Sequence, residues 1–299
     1  MDFSRAKTVL IAAFLILNAF LLYQLWQAEG GGESRLFGGE EEHFRLEEAL
    51  EEANLTLETS LPRDAEKSSH LEVTPWNFEE EEVAEYLEKA LQEGGKESIE
   101  EVSTEQQSFS EKEQLNIGRE YGFEDYKMEI TPGGTLILEA ENFECDIEDP
   151  PPQEEIKSAA ENFVGHLPFM DDFALDYITT NGENLKFYYH QEIDNAPLFS
   201  GYAELVLCGE LVLKFSFYRV EKQEFAEPKR QVIPPSSALM RFVEEYKGND
   251  APSSIVNFQQ GYYSKKYDAE RWEIPPVWRI RLDSNEYYYV NAFTGNLEE

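Results

Sequence analysis

The side chains able to do chemistry are few and scattered. Four histidines, His43, His70, His166 and His190, and two cysteines, Cys145 and Cys208, are the only residues of their kinds. A zinc hydrolase needs His-Glu-x-x-His on one helix face or a close set of His and Cys ligands, and neither pattern is present. His166 ends a helical pattern, where a cation favours the helix C-terminus, and His190 sits in a strand pattern four residues before Asp194. The cysteines are too far apart for a CxxC redox pair. Outside the cell they permit one disulfide, while Cys208, closing the apolar run Leu205-Val206-Leu207, reads equally well as a small buried residue. Glu144 and Asp146 flank Cys145 and would raise its thiol pKa rather than activate it.

Carboxylates are so abundant, 61 against 25 basic residues, that a close pair arises by chance and points to no glycosidase. Asp146, Glu148 and Asp149 lack the spacing and the glycine of a calcium loop. A nucleophile elbow, a phosphate loop and a dinucleotide fingerprint are all missing. The sequence therefore offers no catalytic, cofactor-binding or metal-ligating residue and reads as non-enzymatic. What remains is aromatic: Tyr262, Tyr263, Trp272, Trp278 and Tyr287 to Tyr289. On alternating strands half of these face a core, which suits Trp278 and Tyr288. Tyr262, Tyr263, Tyr287 and Tyr289 are left as a candidate interaction surface, since tyrosine is enriched at binding hot spots.

The net charge of −36 repels nucleic acid phosphates and anionic lipid headgroups. It serves solubility, or it steers a basic partner. Residues 8–26, TVLIAAFLILNAFLLYQLW, carry no charge and are long enough to span a bilayer as a helix. Arg5 and Lys7 precede this stretch and acidic residues follow it, so the N-terminus is expected in the cytoplasm and the bulk of the chain outside the cell membrane. Tyr23 and Trp26 fall at the interfacial level. A cleaved signal peptide is the rival reading, but small residues before a cleavage site are lacking. Asn18 lies near mid-span. It is either a hydrogen-bonding contact for another membrane helix or an amide solvated by its own backbone.

These segments divide the chain into a cytoplasmic tip and anchor (1–28), a Gly-rich linker (29–39) and two α+β ectodomains (40–148 and 149–299), parted at Asp149-Pro150-Pro151-Pro152. Helical spacing is expected over 40–54, 79–92, 152–167 and 234–246, the last capped by Ser236 or Ser237. Strand patterns cover 55–59, 71–74, a hairpin at 126–130 and 135–139, then 173–179, 185–192, 202–208, 210–218, 254–263, 277–282 and 286–291. Residues 93–114 read as a polar loop. The second ectodomain repeats a helix followed by an antiparallel meander, in halves of about 152–230 and 231–299, as a sheet with one apolar face requires. Gly295 is expected to supply a positive φ in the final turn.

The N-terminal MDFSRAKTVLIAAFLILNAFLLYQLW, then Gln260-Gly261-Tyr262-Tyr263, Pro275-Pro276-Val277-Trp278-Arg279-Ile280 and Tyr288-Tyr289-Val290-Asn291-Ala292-Phe293-Thr294-Gly295, resemble the YycI (WalI) family of Gram-positive bacteria. The likeness covers about the first 26 residues and about 150–299, and is weak over about 40–125. It implies helix-on-sheet modules of the YycH/YycI kind. The Val-Asn-Ala-x-Thr-Gly segment is also similar to PepSY-type modules. It further implies a single-span membrane protein, without catalytic residues, that acts with a YycH-like partner on a WalK-type (YycG) sensor histidine kinase and so on cell-wall metabolism. A homodimer is an open alternative. The other functional classes are an extracytoplasmic peptide or small-molecule sensor, with a pocket on the sheet face, and an anchored cell-wall hydrolase with a carboxylate pair in a deep cleft.

Overall fold

A computed structural model describes Phe14, Asn18 and residues 40–77, 80–94, 119–123, 125–131, 133–141, 143, 145, 151–182, 184–225, 228–246, 251–267 and 269–298. The rest of the apolar span, with Arg5, Lys7, Tyr23 and Trp26, lies outside the described residues, as do the 29–39 linker, most of the 93–114 stretch and the Asp149-Pro150 part of the break. Among the described residues no helix is long and apolar enough to cross a membrane.

Two helix-covered sheet modules share one continuous sheet. In chain order come α1 (Glu40–Glu52), β1 (Leu55–Leu57), β2 (Leu71–Pro75), α2 (Glu80–Gly94), β3 (Arg119–Phe123), β4 (Tyr126–Ile130) and β5 (Leu136–Ala140). Then follow α3 (Gln153–Gly165), β6 (Phe173–Asn181), β7 (Asn184–Ile193), β8 (Ala196–Cys208), β9 (Leu211–Tyr218) and β10 (Val220–Phe225). The chain ends in α4 (Pro235–Glu245), β11 (Ser253–Tyr262), β12 (Trp272–Ile274), β13 (Pro276–Leu282), β14 (Tyr287–Asn291) and β15 (Leu297–Glu298). The large sheet runs β15-β14-β13-β11-β8-β9-β5-β4-β3, with β7 and then β6 on the other side of β8, and β1 beside β11. A small sheet, β10-β2-β12, packs at the junction.

The first core lies where α2 and α3 cover β4–β9. Ile156, Ala160 and Phe163 recur at spacings of four and three along α3, and Val83, Leu87 and Ala90 do the same on α2. Both stripes meet Met128, Leu136, Leu138, Phe187, Leu205, Phe215 and Phe217. Each such side chain, fully withdrawn from water, contributes about 1.5–3 kcal/mol. Phe163 meets Phe215 edge-on at 5.4 Å, the geometry that ring quadrupoles favour. The second core lies under α1 and α4, where Leu46, Leu50, Leu55, Leu239 and Phe242 pack on Phe258, Trp278, Ile280 and Leu282.

Strand pairing and packing run across the 148/149 boundary. β5 pairs with β9, Leu136 opposite Phe217, so the 126–140 hairpin belongs to the module built by 153–218. α1 and β1 belong instead with the C-terminal module, β1 running parallel to β11. The physical reason is burial: α2 and the hairpin share one core with α3 and β6–β9, and α1 shares the other with α4, β11 and β13. The sheet is also mixed rather than wholly antiparallel, because β11 is parallel to both β1 and β8.

Local chemistry differs in one place. α4 is not capped by Ser236 or Ser237. Pro234 is its N-cap at φ −60°, with Pro235 in the first turn, where a missing N–H costs nothing. His166 does close α3, its Nδ1 lying 2.8 Å from the Asn162 carbonyl oxygen. Cys145 and Cys208 are joined in a disulfide with a Cα–Cα separation of 5.9 Å, and Cys208 is buried as well as bridged.

Candidate ligand cleft between the modules

Each module covers one face of its sheet with helices. The opposite faces meet, and what they enclose follows from strand alternation. β13 buries residues on both sides: Trp278, Ile280 and Leu282 point under α4, while Arg279 points the other way and is still only 2% exposed. On β7, Phe187 faces the first core and Tyr188 and His190 face the junction.

Arg279 is the centre of this junction. Its Nη1 donates to Asp176 Oδ2 and its Nη2 to Asp176 Oδ1 at 2.8 Å, a bidentate pair between β13 and β6. Nη2 also lies 3.2 Å from both Asn257 Oδ1 and Gln259 Oε1 on β11. The guanidinium carbon stands 4.1 Å from the Phe199 ring centroid. Such a pair holds only because both charges are matched, since either alone would be costly at this depth.

Rings surround the pair. Tyr177 stacks on Tyr188 at 4.4 Å, Arg281 lies 4.3 Å over Tyr177, and Tyr263 stacks on Tyr289 at 3.6 Å. Burial pushes the phenols of Tyr287 and Tyr289 well above the usual range, and a hydrogen bond to Tyr177 adds to the shift at Tyr287. His190 is 8% exposed, with Nδ1 3.9 Å from Asp176 Oδ2 and, among the described residues, without a hydrogen-bond partner. Burial holds its pKa below the ordinary value; Asp176 and Glu192 oppose that shift and Arg279 reinforces it.

Together these groups line a cavity of about 240 Å³, bounded by Asp176, Tyr188, His190, Phe199, Tyr202, Glu204, Arg279, Tyr287 and Tyr289, among others. Of the four tyrosines singled out from sequence, Tyr287 and Tyr289 line the cavity and Tyr263 stacks behind Tyr289. Tyr262 points away, packed with Leu71, Val73 and Ile274 beneath the small sheet. Asn18 donates from Nδ2 to the Phe14 carbonyl at 2.9 Å, one turn earlier in its helix. Sequence reading missed Asp176, Tyr188, Phe199 and Arg279. The signal for Arg279 was present: a guanidinium flanked by Trp278 and Ile280 on β13, opposite a tyrosine-rich strand. Nothing local could name Asp176, which is 103 residues away. Among the described residues no group of three or more His, Cys, Asp or Glu is placed to hold a metal.

The fold and cleft define a two-module α+β protein whose junction holds a buried ion pair. Within that class the chain belongs to the YycI family, whose model matches residues 39–293. No curated protein matches the sequence. Among solved structures, an uncharacterized protein from Eubacterium rectale ATCC 33656 is similar at 12% identity and a TM-score of 0.49, over 82% of this chain and 91% of that one. The Bacillus megaterium YpeB C-terminal domain is similar at 12% identity and a TM-score of 0.43, over 74% of this chain and 96% of that one.

Proposed function

We propose that the protein is a membrane-anchored, non-catalytic regulator that binds a YycH-like partner and adjusts a WalK-type sensor histidine kinase controlling cell-wall metabolism. The observation carrying this reading is the family match over residues 39–293. Two others support it. Residues 8–26 carry no charge and suit a single span, with the rest of the chain outside the cell. The Cys145–Cys208 disulfide suits an oxidising exterior better than a reducing cytosol. The Val-Asn-Ala-x-Thr-Gly segment is in keeping with PepSY-like modules: Asn291 Oδ1 accepts from the N–H groups of Phe293 and Thr294, and Gly295 takes a φ of 79°.

A hydrolase reading has little to stand on at the cleft. Both oxygens of Asp176 accept from Arg279, which commits that carboxylate to an ion pair. A ligand-responsive regulator is favoured by one observation, the aromatic-lined cleft.

The test is an anchor exchange in living cells. Residues 8–26 are replaced by an unrelated membrane span, with kinase-dependent transcription and co-purification as readouts. Loss of regulation with the ectodomain still folded is expected. Normal regulation by the chimera would count against contact through the membrane helix.

A further inference from the structure

We propose that the junction cleft binds a protonated primary amine, carried either by a free small molecule or by a lysyl side chain. The cavity's size sets the scale. About 240 Å³ is below the usual span for drug-sized ligands and leaves room for one long side chain or a small amine.

The sign of the ligand follows from what the walls have left to offer. The lining contains two carboxylates, Asp176 and Glu204, and one guanidinium. That guanidinium is committed: its terminal nitrogens bond Asp176, Asn257 and Gln259, and its flat face covers Phe199. An anion would have to compete with Asp176 for that guanidinium, inside a chain of net charge −36. A cation finds acceptors. Glu204 is ion-paired with Lys186 at 3.6 Å, longer than a hydrogen bond, so its oxygens keep room to accept from a ligand that competes with that lysine. His190 Nδ1 is buried at the same cavity and, among the described residues, without a partner. Burial keeps that imidazole neutral, and a neutral imidazole presents one acceptor nitrogen.

The walls complete the pattern. Tyr188, Tyr202, Tyr287, Tyr289 and Phe199 surround the space, and the negative face of an aromatic ring attracts an ammonium. Ring and carboxylate act in the same direction, and their effect grows as the ligand displaces water.

The proposal stands apart from kinase regulation, because it is read on the purified full chain in detergent micelles with no kinase present. Nα-acetyl-lysine methylamide and n-butylammonium are titrated, with the norleucine and glutamate methylamides as neutral and anionic controls, following tyrosine fluorescence. Saturable binding of an ammonium probe is expected, about tenfold or more tighter than the norleucine control. Preference for the lysine amide over n-butylammonium would indicate a side chain as the source, and the reverse a free amine. Glu204→Gln and Tyr202→Ala, both at partly exposed positions, should each weaken binding about fivefold or more. Equal affinity for lysine and norleucine amides, tighter binding of the glutamate amide, no saturation, or indifference to both substitutions would each overturn the assignment.

Discussion

Arg279 and Asp176 form a charge pair that neither residue could leave without damage to the other. Arg279 is 2% exposed, so removing Asp176 strands a guanidinium away from water. Asp176→Ala is therefore expected to lower unfolding stability by roughly 3–5 kcal/mol. The double replacement Asp176→Leu with Arg279→Met should recover much of that loss, because it removes the charge together with its partner. Urea denaturation of the single and double variants measures the difference. A double variant no more stable than Asp176→Ala would show that the pair's geometry, rather than charge matching, holds the junction.

At the scale of elements, β8 is the strand on which the modules join. Its later residues pair with β9, while Leu198, near its start, sits opposite Tyr262 of β11. Close approach there depends on Gly261. A Cβ at that position would lie 2.5 Å from the Phe199 ring and 2.6 Å from the Pro197 carbonyl oxygen. The backbone oxygen cannot yield as a side chain can, so Gly261→Ala is expected to cost about 1–3 kcal/mol through overpacking. The same substitution should disturb Phe199, seen as a change in aromatic circular dichroism. Helices and long strands were legible because their periodicity is local: Ile156, Ala160 and Phe163 mark α3, and alternation marks β13. The short strands β10 and β12 were not, because they are held by pairing with β2 rather than by any pattern of their own. The prolines that start α4 were visible in sequence but were outweighed by the serines beside them.

On the scale of the whole molecule the chain is interleaved. Residues 40–57 complete the C-terminal module, and the described parts of 80–94 and 126–140 complete the module that follows them. Sequence alone suggested consecutive domains, because each stretch has plausible elements; which stretch covers which sheet is decided by distant contacts. A polypeptide of residues 149–299 alone should consequently expose apolar surface, bind a hydrophobic dye and resist forming native tertiary structure. Supplying residues 40–148 in trans should restore a compact complex by size-exclusion chromatography. Independent cooperative folding of 149–299 would contradict the interleaving. The cleft shares this origin, since its walls come from β6–β8 on one side and β13–β14 on the other.

The Cys145–Cys208 bond has a topological corollary. Between its two ends lie α3, β6, β7 and most of β8, so this portion of the backbone is a closed covalent ring of 63 residue steps. A protease cutting once within the ring, for example at the turn between β6 and β7, opens a circle rather than severing a line. The nicked molecule would still migrate as a single species until a reductant is added, and only then part into two pieces.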